Sequence, residues 1–140
     1  MIYMRSLIYL VLFVMSLPIL VAVWFDGESE VKETEQVCET VKVTTYTTDP
    51  SQTDSTPYTT ASGFKLSKKN PKKHRIIAVS RDLFKKIGFG KKVRLEGTGK
   101  YDGIYYVQDL MNKRFRNRID ILINPNDEPI MFRQAKLVVL

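Results

Sequence analysis

Nineteen consecutive residues near the start of the chain carry no charge, and they decide how much of the sequence is left for a folded domain. The segment at 7–25 reads LIYLVLFVMSLPILVAVWF. As a helix it is about long enough to cross the ~30 Å hydrocarbon core of a bilayer. We therefore predict one N-terminal membrane-spanning helix, which leaves room for a single small domain of roughly 100 residues.

The residues on either side of this segment predict its orientation. Arg5 precedes it, whereas Asp26, Glu28 and Glu30 follow it. The positive-inside rule then places residues 1–6 in the cytoplasm and the rest of the chain outside. The apolar run is longer than the core of a usual signal peptide, and no small-x-small cleavage site follows it, so we expect an uncleaved anchor. If the segment is cleaved, the domain is secreted.

Residues 26–40 are acidic, polar and unpatterned, which is typical of a solvated linker. Cys38 is the only cysteine, so it cannot form a disulfide within the chain. We interpret it as a linker residue that could form an intermolecular disulfide.

Short apolar or β-branched segments separated by turn residues predict a mainly β domain over 41–140. Ser80 can cap a short helix that runs over 81–87 and ends at Gly88. The segments at 92–96 and 104–107 form a predicted hairpin across a glycine-rich turn. Such spacing indicates a small β-barrel. The predicted strands lie at 41–48, 76–79, 92–96, 104–107, 119–123 and 135–140.

The net charge of +7 arises almost entirely beyond the apolar segment. A basic domain outside the membrane suits an anionic polymer of the cell wall, lipid headgroups or nucleic acid, although a solvated basic face needs no partner. The lysine run at 68–73 lacks interleaved aromatic residues, so we expect no nucleic-acid partner. Because His74 is the only histidine, we expect no histidine-based metal site, and nothing indicates a cofactor.

Two aspartates stand in or next to strongly apolar strands. Asp109 follows the segment at 104–107 after one residue, and Asp120 lies inside the segment at 119–123. Burial raises a carboxyl pKa, as a general acid requires, and a second carboxylate raises it further. Two structural explanations remain open, a salt bridge from Asp120 to Arg116 or Arg118 and a turn capped by Asp109. Asp49 and Asp54 bracket a Ser/Thr-rich loop, where local Asx turns explain them more simply.

Six segments, taken in order and spacing, resemble the 3D (three-aspartate) domain of bacterial wall-lytic proteins related to membrane-bound lytic transglycosylase A. The resemblance covers about 43–123 and implies a six-stranded double-psi β-barrel that acts on peptidoglycan. The segments are Thr44-Thr45-Tyr46-Thr47, Thr59-Thr60-Ala61-Ser62-Gly63, Ile77-Ala78-Val79-Ser80, Phe89-Gly90-Lys91-Lys92-Val93, Val107-Gln108-Asp109 and Asn117-Arg118-Ile119-Asp120.

The same resemblance implies roles for individual residues. Asp120 matches the aspartate taken as the catalytic acid of the family, and Asp109 matches the preceding strand-end aspartate. Ser80-Arg81 replaces the usual Asp-Pro, and Asp109-Leu110-Met111 replaces the usual Asp-Thr-Gly. The chain is thus similar to divergent forms from phages and outer-membrane bacteria, in which an aspartate precedes a Thr-Ala-Ser-Gly segment, so Asp54 becomes the expected third carboxylate.

The activity implied by the resemblance is lytic cleavage of the glycan between N-acetylmuramic acid and N-acetylglucosamine, with a 1,6-anhydro product. Tyr46, Thr60 and Gln108 are expected to line the substrate site, and Arg118 to orient a carboxylate, either that of Asp120 or one of a substrate peptide stem. Three alternatives remain: a non-catalytic peptidoglycan-binding module, a cell-wall glycan hydrolase, and an unrelated basic domain that binds lipid or nucleic acid.

Overall fold

Six β-strands and one α-helix make up most of the regular structure of residues 36–140, the part of the chain that the computed structural model describes. The mainly β fold with one short helix is thereby confirmed. The predicted membrane helix at 7–25 and most of the predicted linker lie outside the described residues. Within residues 36–140 no helix is both long and apolar enough to cross a membrane. The elements are β1 (Cys38–Tyr46), β2 (Ile76–Val79), α1 (Arg81–Ile87), β3 (Lys92–Glu96), β4 (Gly103–Leu110), β5 (Arg118–Leu122) and β6 (Phe132–Val139), with 3-10 turns at Pro71–His74 and Gly99–Tyr101.

Strands β1, β4 and β6 extend beyond their predicted limits. Strand β6 begins at Phe132 and not at 135, and the extensions of β1 and β4 bear on the site. Strand β1 begins at Cys38 because its first residues pair with β6, so the last three residues of the predicted linker belong to the barrel. Strand β4 continues to Leu110, which places Asp109 inside a strand and not in the loop after it. Pairing with a neighbouring strand, which composition does not reveal, accounts for both extensions.

The strands close into a barrel in the order β1-β5-β2-β4-β3-β6, and β6 returns to β1. Strands β1 and β5 pair in parallel, as do β2 and β4. The antiparallel pair of β2 and β5 joins these two parallel pairs. The predicted hairpin of β3 and β4 is confirmed. Residues that lie far apart in sequence therefore meet on β1, β5, β2 and β4.

Side chains alternate between the interior and the outer face of the barrel, as strand geometry requires. Val41 and Val43 of β1 and Ile119 and Ile121 of β5 point into the main hydrophobic core. Their sequence neighbours Thr44, Tyr46, Asp120 and Leu122 therefore face outward.

A second hydrophobic cluster covers part of the outer face. It is built from Tyr46, Ile76, Ala78, Met111 and Leu122, with Leu66 and Phe115 packed against it. Leu66 belongs to the loop at 47–70 and Phe115 to the loop at 111–117. These two loops therefore shield the outer face of β1, β5, β2 and β4 at one end.

Ser80 precedes α1 as predicted, but its hydroxyl does not cap the helix. The Ser80 carbonyl accepts a hydrogen bond from Phe84 N at 2.9 Å. Its buried hydroxyl oxygen accepts one from Arg118 N at 3.2 Å, and Asp82 Oδ2 accepts one from Asn117 N at 2.9 Å. The start of α1 thus fixes the start of β5, the strand that carries Asp120.

Candidate active site

Four side chains form a row across the outer face of the barrel. Thr44 of β1 pairs with Asp120 of β5, Asp120 pairs with Ala78 of β2, and Ala78 pairs with Asp109 of β4. Paired residues on neighbouring strands face the same side of a sheet. At a spacing of ~4.8 Å per strand, the backbones of Asp109 and Asp120 lie roughly 10 Å apart, with Ala78 on the strand between them.

Asp109 reaches this face because β4 contains a β-bulge. Ile77 pairs with Val107, but the next residue, Ala78, pairs with Asp109, so Gln108 is an additional residue in β4. Val107 lies in the core. In a regular strand Asp109, two residues further on, would also point inward. The bulge turns Asp109 outward and allows Leu110 to pack against the core.

Three hydrogen-bond donors hold the carboxylate of Asp109. The Tyr46 hydroxyl donates to Oδ2 at 2.9 Å, while Ala61 N and Leu110 N donate to Oδ1 at 3.0 and 2.9 Å. Burial, followed by the charge of Asp109, raises the pKa of Tyr46 well above its ordinary value. Tyr46 therefore keeps its proton and acts as a donor to Asp109.

Asp120 occupies a different environment. Its side chain is only partly accessible, and the Thr44 hydroxyl donates a hydrogen bond to its Oδ1. Burial raises the pKa of Asp120 and the charge of Asp109 adds to the rise, while the Thr44 hydrogen bond and the Arg118 charge oppose it. A carboxyl group whose pKa is raised retains its proton at higher pH, as a general acid must.

The turn at 60–64, which is part of the loop at 47–70, is hydrogen-bonded to β4. Thr60 is buried, and its Oγ1 lies 3.0 Å from Ser62 Oγ. Ser62 donates from its backbone N to Gln108 O at 3.1 Å and from its hydroxyl to Gln108 Oε1 at 2.6 Å. Gly63 has a φ of 88°, which favours glycine at this position. Thr60 and Gln108, both predicted to line the substrate site, therefore position the turn that presents Ala61 N to Asp109.

Asp54 lies in an exposed turn of its own. Its Oδ1 accepts hydrogen bonds from Thr56 N and Thr56 Oγ1, both at 2.8 Å, and these bonds lower the pKa of Asp54. Asp49 accepts a similar hydrogen bond from Ser51 N at 2.8 Å. Within residues 36–140 neither a hydrogen bond nor a salt bridge joins Asp54 to Asp109 or Asp120. The structure places Asp109, Asp120 and Tyr46 on one face of the barrel, whereas Asp54 forms its hydrogen bonds within its own turn.

Arg118 lies at the side of the row, on β5. Its guanidinium carbon is 4.7 Å from the centroid of the Phe115 ring. The salt bridges found among the described residues do not include Asp120, so neither Arg116 nor Arg118 pairs with it in that way. Arg118 acts on Asp120 through its charge.

Several contributors to the site were not predicted, among them Thr44, Ala61 and Ala78. Alternation along β1 could have placed Thr44 on the face of Tyr46, but only the pairing of β1 with β5 puts it beside Asp120. Ala61 acts through its backbone N–H, and Ala78 through apolar packing on the strand between the two aspartates, so their residue types carry no chemical signal.

The described residues contain no group of three or more His, Cys, Asp or Glu side chains arranged to hold a metal ion. In comparisons with known proteins, no family model matches the chain and no curated protein is significantly similar to it.

Proposed function

We propose that this protein is a peptidoglycan lytic transglycosylase in which Asp120 is the general acid and base. The observation that carries the proposal is the position of Asp120 on the outer face of the barrel. It is partly buried, accepts a hydrogen bond from Thr44, and has a raised pKa. A second carboxylate, Asp109, faces the same side two strands away.

In the proposed reaction, protonated Asp120 donates its proton to the oxygen that links N-acetylmuramic acid to N-acetylglucosamine. The bond between that oxygen and C1 of the muramic sugar breaks, and the C6 hydroxyl oxygen of the same sugar bonds to C1. The Asp120 carboxylate then accepts the proton of the C6 hydroxyl. No water is consumed, so a single carboxyl group can serve in both steps, unlike the two carboxylates of ordinary glycosidases.

Asp109 has a supporting role in this scheme. Its position is fixed by donors from β1, β4 and the turn at 60–64. Its charge raises the pKa of Asp120, and its partly accessible carboxylate can accept hydrogen bonds from sugar hydroxyls.

The resemblance to the 3D domain supports the same proposal. The two parallel strand pairs joined by the β2–β5 pair are what we expect of a double-psi barrel, which is the finer fold that we propose. Both departures from the family pattern have structural uses here. Leu110 packs against the core, and Ser80 connects α1 to β5.

We further propose that the domain works outside the cytoplasm, attached to the membrane through residues 7–25 or released by cleavage. The net charge of +7 suits the anionic cell wall as a partner.

The test is mass spectrometry of the soluble products formed when the full chain is incubated with purified peptidoglycan. We expect 1,6-anhydro-muropeptides, and we expect Asp120→Asn to reduce their formation by at least about 100-fold, as for loss of a general acid. Glu128→Gln is the matched control, because it removes an exposed carboxylate that forms no hydrogen bond or salt bridge among the described residues.

Thermal unfolding separates lost activity from lost structure. The raised pKa means that the ionised form of Asp120 destabilises the folded protein, and this effect appears as pH rises through that pKa. Asp120→Asn should therefore keep or raise the Tm near neutral pH. Products with a reducing end would identify a hydrolase. Wall binding without any product would favour a binding module.

A further inference from the structure

A pocket of about 410 Å³ opens on the outer face beside the proposed acid. Three of its lining residues are cationic: Lys42 of β1, Arg118 of β5 and Arg133 of β6. Thr44 also lines it, and the Thr44 hydroxyl is the donor to Asp120. The pocket therefore begins one strand away from Asp120, on the side opposite to Asp109.

The three cations have no counter-ion of their own in the part of the chain that is described. None of the salt bridges within residues 36–140 includes Lys42, Arg118 or Arg133. Lys42 and Arg118 are direct partners across the parallel β1–β5 pair, so their backbones lie only ~4.8 Å apart. Cations on neighbouring strands of one face repel each other, and an anion bound in the pocket would relieve this repulsion.

A second β-bulge brings the third cation to the pocket. Val41 pairs with Ala135 and Val43 pairs with Phe132, so Arg133 and Gln134 together stand opposite Lys42. Bulges of this kind redirect side chains and are frequent next to active sites. Each of the two bulges therefore brings a charged side chain to the outer face, Asp109 on β4 and Arg133 on β6.

The other lining residues indicate what kind of molecule would carry the anionic group. Met131 and Phe132 provide an apolar wall, and Met131 is among the most exposed hydrophobic residues of the described chain. Such a lining suits an anionic group on an aliphatic chain better than a bare inorganic ion. Arginine is well shaped for a carboxylate, which it can bind with two parallel hydrogen bonds.

We infer that this pocket binds a carboxylate of the peptide stem that the muramic sugar carries. This inference rests on the proposed function, in which the bond that breaks belongs to the same sugar. A stem held by Lys42, Arg118 and Arg133 places that sugar beside Asp120. The pocket thus selects glycan with intact, negatively charged stems.

The test compares wall binding by two doubly substituted proteins that have the same net charge. Lys42→Gln with Arg133→Gln removes two pocket cations, whereas Lys85→Gln with Lys91→Gln removes two exposed lysines outside the pocket. Each pair is made in the full chain that also carries Asp120→Asn, so that the wall is not consumed. Kd is measured by sedimentation on purified peptidoglycan and on the same material after its carboxyl groups are converted to amides.

We expect the pocket substitutions to weaken binding to untreated wall by about tenfold, the size of effect that follows from losing charge-assisted hydrogen bonds. We expect them to have little effect on the amidated wall, and the control pair to bind both materials as the parent protein does. Equal binding by all proteins would overturn the inference. A loss that persists on amidated wall would replace the carboxylate with another anion, such as a wall phosphate. If binding follows this pattern but the wild-type chain releases no product from peptidoglycan, the proposed reaction is overturned and the pocket assignment stands.

Discussion

The aspartates on the barrel differ from those in the loop at 47–70 in where their hydrogen-bond partners come from. Asp49 and Asp54 bond to Ser51 and Thr56, each two residues further along the chain. Asp109 and Asp120 bond to side chains of β1 that are 63 and 76 residues away. The loop carboxylates need only their own turn, whereas the barrel carboxylates take their positions from the whole fold.

The two environments also change acidity in opposite directions. Hydrogen bonds from Thr56 lower the pKa of Asp54, which is fully exposed. Burial raises the pKa of Asp120. Only the second shift keeps a carboxyl group protonated to higher pH, as proton donation requires, so the local environment separates an aspartate fitted for catalysis from one that shapes a turn.

Asp109→Asn gives the largest effect among the predictions that address this comparison. It removes a charge that raises the pKa of Asp120, so the pKa of Asp120 should fall. A general acid acts only while protonated, and activity is lost as pH rises through its pKa. We therefore expect kcat/KM at neutral pH to fall by about 10- to 100-fold. In a profile of kcat/KM against pH, the high-pH limb should move to lower pH. An unchanged limb would show that Asp109 does not act on Asp120.

Thr44→Val should act in the opposite direction on pH dependence. Valine keeps the branched shape but removes the hydroxyl that donates to Asp120, and this hydrogen bond lowers the pKa of Asp120. The high-pH limb should therefore move to higher pH. We expect kcat to fall about fivefold, which corresponds to the ~1 kcal/mol of a typical hydrogen bond. A pH–rate profile of Thr44→Ser is the control, because serine retains the donor and should keep the limb in place.

The sequence predicts most of the strands because they alternate or are strongly apolar, and it predicts α1 because Ser80 and Gly88 limit it. It also singles out Asp109 and Asp120, since carboxylates are rare beside such segments. It does not reveal that Gln108 is a bulge residue, because a bulge is defined by the partner strand. For the same reason, the sequence gives no sign that Arg133 joins the face that carries Lys42 and Thr44.

Asp54 illustrates a second limit of prediction from sequence, which concerns loop side chains. Its place before a Thr-Ala-Ser-Gly segment suggested a third carboxylate of the site, but the loop at 47–70 uses that carboxylate for its own turn. Sequence order fixes which segment follows which. It does not fix which loop side chain turns toward the barrel, because that depends on local hydrogen bonds competing with longer-range ones.

Asp54→Asn should have the smallest effect on activity and an effect on stability opposite in sign to that of Asp120→Asn. Because its pKa is lowered in the folded protein, ionised Asp54 stabilises the fold at neutral pH, and this contribution is lost as pH falls through that pKa. The variant should therefore form products at the wild-type rate, with a slightly lower Tm near pH 7 and the same Tm as the wild type in acid. Asp120→Asn should instead match or exceed the wild-type Tm near pH 7. A large loss of activity in Asp54→Asn, with the Tm unchanged, would return Asp54 to the active site and imply that the loop at 47–70 closes over the substrate.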